Sequence, residues 1–189
     1  KKIENFGGSG TQYRGQFGEI KVSKLRKQHP FCETWLKAAQ NCGFNYNYDF
    51  NGESTLGVGK YDLSIGSRWR SSSASAFLHP IKKRKNLKIM TNSLVEKVFF
   101  KNAKAEGVIL FSKDQKLKIK CKREVILSAG AIQSPQILQL SGIGSSKLLT
   151  KLNIPIVSNL PFVGQNLQDH YQVRLIVKMK KKISLNNDV

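Results

Sequence analysis

Between Glu124 and Gly144 the chain passes from a short apolar run, through a turn of small residues, into an apolar helix and a second glycine turn. Val125, Ile126 and Leu127 form the uninterrupted apolar run of a strand covered on both faces. Ser128, Ala129 and Gly130 remove side-chain bulk where that strand ends, so another backbone or a ligand can come close. Pro135 falls early in the following helix, where a missing N–H costs little; Gln136 to Leu140 continue it, and Ser141 with Gly142 stops it. In open α/β sheets, ligands sit beyond the carboxyl ends of strands, where helix N-termini point. On spacing alone, the turn Ser128, Ala129, Gly130, Ala131 fits a ligand contact and plain strand–helix packing equally well.

The remaining chain alternates loops with short periodic segments. Residues 13–23 read as loop and then strand, with Glu19 to Val22 extended. His29 and Pro30 open a helix in which Phe31, Trp35, Ala38 and Ala39 predict one apolar face, and Asn41 to Gly43 supply its stop. Residues 44–59 are aromatic and rich in Asn and Gly, a long loop of the kind that is often functional. A packed surface excursion explains that composition equally well. Residues 71–77 are helix-compatible, with Ser71 to Ser73 as caps and His79-Pro80 as a stop. Residues 88–90, 94–100, 105–111 and 117–120 predict a β-meander that turns at Lys101-Asn102 and at Ser112-Lys113-Asp114. Ser145 caps a short helix to Leu152, and residues 154–157 and 174–179 read as further strands. The fold class that follows is mixed α/β.

Composition removes several function classes. A chain of 189 residues with 40% hydrophobic content and 15 glycines is globular in type. A net charge of +20 raises the possibility of a polyanion partner. Against it, the lysines lie scattered along the sequence, and Arg, the better fork for phosphates and base edges, is far scarcer than Lys. The densest runs, residues 82–85 and 178–182, read as solvated loops or strand ends. Cys32 and Cys42 flank a helix that separates them by about 15 Å, beyond disulfide reach, so a reduced, cytosolic-type setting is expected. No 18-residue apolar run is present. There is no P-loop and no zinc-ligand spacing, and Gly142, Gly144 and Lys147 do not complete a dinucleotide fingerprint.

Residues 130–144 resemble the second signature of the glucose-methanol-choline (GMC) flavin oxidoreductases. Other pieces agree in order and spacing: Asp49-Phe50-Asn51-Gly52, the stretch Gly66 to Ser71 around Arg68 and Arg70, Asn86 to Thr91, and Val163 to His170. The likeness runs from about Tyr13 to Tyr171 and is strongest to the family's bacterial choline and alcohol dehydrogenases. It implies the middle part of an FAD-binding Rossmann-like domain with a β-meander, plus edges of a substrate-binding domain. Residues 1–50 would be a substrate-domain or loop excursion, 51–158 part of the FAD-binding domain, and 159–189 the start of the substrate-binding domain.

The resemblance further implies FAD as cofactor and oxidation of an alcohol or choline to an aldehyde, with oxygen or a quinone-type partner accepting electrons. Neither nucleic acid nor metal is expected to bind. Ser128, Ala129, Gly130 and Ala131 would touch the flavin's ribityl or pyrophosphate, and the backbone of Val95 its adenine. Asn166 and His170 would position groups between the two domains. No catalytic residue falls in this stretch, because the family's proton-abstracting His lies further downstream and its nucleotide fingerprint further upstream. The chain therefore reads as an internal fragment, cytoplasmic or membrane-associated on the cytoplasmic side. Phe162 stands where relatives commonly have Gly, which predicts an altered turn. Two alternatives are a flavin-containing lyase on the same scaffold and a basic nucleic-acid-binding module.

Overall fold

The computed structural model describes residues 1–8, 12–25 and 28–176. These form two units: Lys1–Lys88 with the stretch from Leu175, and Ile89–Arg174. In the first, β1 (Glu4–Phe6) pairs in parallel with β2 (Ile20–Val22), Glu4 opposite Ile20 and Phe6 opposite Val22. Helix α1 (Pro30–Asn41) begins where His29 accepts the Phe31 amide on Nδ1 at 3.2 Å. It ends at Gly43, whose φ of 94° only glycine adopts freely.

The buried side of α1 differs from the predicted one. Leu36 is 4% exposed, with half-buried Cys32 and Ala39 at helical spacing, whereas Trp35 is 56% exposed. Both stripes have helical spacing, so periodicity cannot choose between them; packing does. The predicted loop 44–59 is a loop tied to itself. Asn47 donates through Nδ2 to the Ser54 and Leu56 carbonyls, and Tyr46 bridges Val58. Residues 71–77 give only a π-helical turn, Ala74–Leu78, with the Ser75 amide donating to Ser72 Oγ at 3.2 Å.

The second unit is built on a meander of β3 (Ser93–Lys101), β4 (Lys104–Ser112) and β5 (Gln115–Lys120). Its turns put Asn102 with Ala103, and Lys113 with Asp114, at φ values from 49° to 61°. Two consecutive positive φ angles match the twist of a two-residue hairpin. Residues 88–90, predicted as a strand, pair with nothing in the sheet. One face of the meander is buried at Val98 and Leu110, and α2 (Gly130–Leu140) packs against β3. Ser141 fastens the two: its Oγ accepts the Val98 amide at 2.8 Å and donates to the Ile137 carbonyl. Next come β6 (Ile143–Gly144), α3 (Ser146–Lys151) and β7 (Ser158–Asn159), with β6 and β7 parallel.

Five local expectations change. Residues 125–127 form no strand and pair with none among the described residues, and Ile126 is 76% exposed, because an apolar run becomes a strand only beside a partner backbone. Pro135 is the sixth residue of α2 rather than near its start, so the Ala131 carbonyl lacks its usual amide partner. Ser145 occupies the cap position of α3 but makes no side-chain cap bond; Asn159 Oδ1 takes the Ser146 amide at 2.9 Å instead. Residues 154–157, expected as a strand, form none; the strand β7 begins after them, at Ser158. Residues 174–176 form no strand, and the rest of that predicted segment lies outside the described residues.

Candidate functional site

The turn Ser128–Ala131 forms an open corner at the N-terminus of α2. Gly130 has φ 86°, and a Cβ placed on it would meet nothing within 4 Å. Ala129 offers no side-chain cap to the first turn; its own amide donates to Ser134 Oγ at 3.0 Å. Ser128, Gly130 and Ala131 are exposed, and Ala129 is half-buried. The first-turn amides of an eleven-residue helix thus border open space. Such amides and the helix dipole favour an anion, up to about 2 kcal/mol in partly buried sites. The corner fits a group with a diphosphate arm: positive ends, no side chain in the way, and a glycine that lets the backbone be approached.

Along the same helix runs a groove of about 390 Å³. Ala131, Ile132, Pro135 and Gln139 line it from α2, and Gly164 and Asn166 from the loop opposite. Gln139 holds that loop by donating through Nε2 to the Val163 carbonyl at 3.0 Å. Gly164, at φ 81°, is close enough that an added Cβ would stand 2.8 Å from Gln139 Nε2. The positive-φ positions of this turn are Gly164 and Asn166 (φ 56°), not Phe162, so Phe162 needs no glycine-like freedom here.

The structure thus brings Ala131 and Asn166 to one groove. Val95 is half-buried on β3, opposite Leu110. His170 is exposed and does not line the groove; its backbone amide, not its ring, meets Asp169 Oδ1 at 2.8 Å. Arg68 and Arg70 are exposed, and their turn is held from beside them: Ser71 Oγ accepts the Lys21 amide at 2.9 Å.

A second polar cluster, in the first unit, was not visible in the sequence. Arg14 is 3% exposed and sits 3.7 Å from the centre of the Phe6 ring. Its guanidinium donates to Glu4 Oε1 at 2.7 Å, Asp49 Oδ1 at 2.6 Å and Asp62 Oδ2 at 2.7 Å. Burial alone would pull the Arg14 pKa down, but the three carboxylates outweigh it and hold the group charged. For Glu4, burial pushes the carboxyl pKa up; the Arg14 guanidinium and the Gly15 amide pull harder, and the net direction is down. Asp49 Oδ1 also accepts the Asn51 amide at 3.0 Å, so the Asp49-Phe50-Asn51-Gly52 turn is anchored on Arg14. The cluster cross-links four stretches far apart in sequence. Beside it, Tyr13, Phe44, Tyr46, Tyr48 and Asp49 border an open cavity of about 940 Å³. Among the described residues, no group of three or more His, Cys, Asp or Glu side chains is arranged to hold a metal ion.

The sequence profile described as GMC oxidoreductase matches residues 1–172. The chain belongs to the GMC oxidoreductase family. The mitochondrial choline dehydrogenase of Mus musculus is 42% identical over 179 residues, covering 94% of this chain and 30% of that protein. An oxygen-dependent choline dehydrogenase of Staphylococcus xylosus is 40% identical, covering 98% of this chain and 33% of that protein. The alcohol dehydrogenase (acceptor) of Pseudomonas putida is 41% identical, covering 88% and 30%. This chain therefore spans about a third of the curated relatives it matches. Among solved structures, an FAD-dependent oxidoreductase from Chaetomium thermophilum superposes with TM-score 0.77 at 30% identity, covering 85% of this chain and 30% of that one. A formate oxidase gives TM-score 0.79 at 25% identity, covering 90% and 31%. The mixed helix-and-strand fold, with its antiparallel meander, is the one those enzymes contain. No helix among the described residues is long and apolar enough to cross a membrane.

Proposed function

We propose that this chain is one part of an FAD-dependent oxidoreductase acting on CH–OH groups, an alcohol or choline going to the aldehyde. The reading rests on the bare left-handed corner at Gly130, opening onto the N-terminus of α2, in a chain of this family. Ser128, Ala129, Gly130 and Ala131 would hold the cofactor's ribityl and pyrophosphate by backbone amides, with the adenine against the backbone of Val95. Bound FAD supplies the redox chemistry. The protein's part is to orient the cofactor and keep its anionic arm neutralised. Asn166 and His170 act as positioning groups on the loop beside α2, and no residue of this chain abstracts the substrate proton.

The names of the relatives support choline and alcohols as substrates and oxygen as one electron acceptor. Residues 51–158 belong in this reading to the flavin domain, and 1–50 and 159–189 to the substrate side. The site of action is the cytoplasm or the cytoplasmic side of a membrane.

The test is made on the purified 189-residue chain and on the longer enzyme that contains it. The longer enzyme is expected to be yellow and to reduce a dye with choline or a primary alcohol. The isolated chain is expected to bind FAD weakly and to turn over neither substrate. Turnover by the isolated chain, or a longer enzyme that purifies colourless from riboflavin-replete cells, overturns the proposal.

A further inference from the structure

The alternation of β5 puts Lys116, Lys118 and Lys120 on one face, and the register of the meander adds Lys97 to it. Residues directly opposite one another share a face. Leu94, Phe111 and Lys116 are in register, as are Lys97, Ile109 and Lys118, and Phe99, Gly107 and Lys120. The opposite face carries Val98 and Leu110, which are buried. The lysine face is the outer one: Lys116, Lys118 and Lys120 are exposed, Phe111 is 40% exposed and Leu94 67%. Residues 93–123 hold nine Lys or Arg against three Asp or Glu. Of those three, Glu96 ion-pairs with Lys116 at 2.7 Å.

We propose that this outer face docks on an anionic lipid surface, with Lys116, Lys118 and Lys120 over the headgroups and Leu94 and Phe111 entering the interface at one corner. The inference does not depend on the redox chemistry proposed above. Lysines at alternate positions of one strand stand roughly 7 Å apart, a row of point charges on a nearly flat sheet. That shape suits a plane rather than a groove. Lys118 Nζ lies 4.2 Å from the Phe99 ring centre and Lys116 Nζ 5.3 Å from that of Phe111, so lysine ammonium groups sit over the rings. Rings covered in this way are poor platforms for stacked bases, and no Arg fork stands on the three strands. An exposed Leu and Phe beside lysines supply what a peripheral membrane face uses: electrostatic attraction plus a small buried apolar area.

The experiment is co-sedimentation of the longer enzyme that contains this chain with vesicles of phosphatidylcholine alone and of phosphatidylcholine mixed with phosphatidylglycerol, at physiological salt. Binding is expected only to the mixed vesicles. The triple substitution Lys116→Gln, Lys118→Gln, Lys120→Gln should weaken it about 100-fold, and Lys118→Gln alone about fivefold. The triple Lys82→Gln, Lys83→Gln, Lys85→Gln removes the same charge from another place and should cost under about threefold. Equal losses from the two triples would mean that overall charge, not this face, does the binding, and would overturn the proposal. So would tighter binding of single-stranded DNA, lost in the same meander triple, since the face would then serve nucleic acid.

Discussion

At the scale of single residues, Gly130 and Arg14 carry the most. Gly130 is left-handed and faces open space, so Gly130→Ala introduces backbone strain of about 1–2 kcal/mol without a clash. Its Cβ also enters the space where the cofactor's arm is proposed to rest. In the longer enzyme, FAD affinity measured by flavin fluorescence is expected to fall at least tenfold, beyond the effect of the strain. Unchanged affinity would place the cofactor elsewhere. Arg14 is different in kind: a buried cation held by three carboxylates. Arg14→Met leaves those carboxylates uncompensated, and chemical denaturation should show a loss of about 3–5 kcal/mol. The pH dependence follows from Glu4. Its folded pKa is depressed, so its contribution is complete above the ordinary glutamate value of about 4.3 and is lost as pH falls through the folded value. Glu4→Gln should flatten that acid limb of a thermal-stability profile; an unchanged limb would show that other carboxylates dominate it.

Among the elements, the helix ends decide how α2 and α3 are placed. Ser141 joins the end of α2 to β3 through one buried hydroxyl. Ser141→Ala leaves the Val98 amide without its partner, at a cost of about 1–3 kcal/mol. Loss of hydrogen-exchange protection at Val98 would report it directly. For α3 the cap comes from Asn159, thirteen residues on. Asn159→Ala should cost about 1 kcal/mol and Ser145→Ala distinctly less; the reverse order, measured by urea denaturation, would contradict the structure. The meander was legible because its signals are local: turn residues between alternating runs fix its hairpins. The caps of α3 and the buried side of α1 were not, because in each the deciding partner is remote in sequence.

For the molecule as a whole, the net charge of +20 sets the response to salt. Like charges repel in the folded state, and added salt screens that repulsion. The apparent Tm should therefore rise between low and moderate sodium chloride. A fall would mean that ion pairs such as those around Arg14 outweigh the repulsion.

Sequence alone determined what depends on neighbours a few residues away. That includes the helix opened by His29 and Pro30, the two hairpin turns, the glycine stops at Gly43 and Gly142, and the small-residue run before α2. It also carried the family signature, because glycines at fixed offsets mark backbone conformations that other residues resist. Tertiary structure decided the rest. It left residues 125–127 without a strand partner among the described residues, turned Leu36 rather than Trp35 inward, and gathered Glu4, Asp49 and Asp62 on Arg14. Each of those outcomes depends on which distant segments meet, and linear spacing holds no record of that.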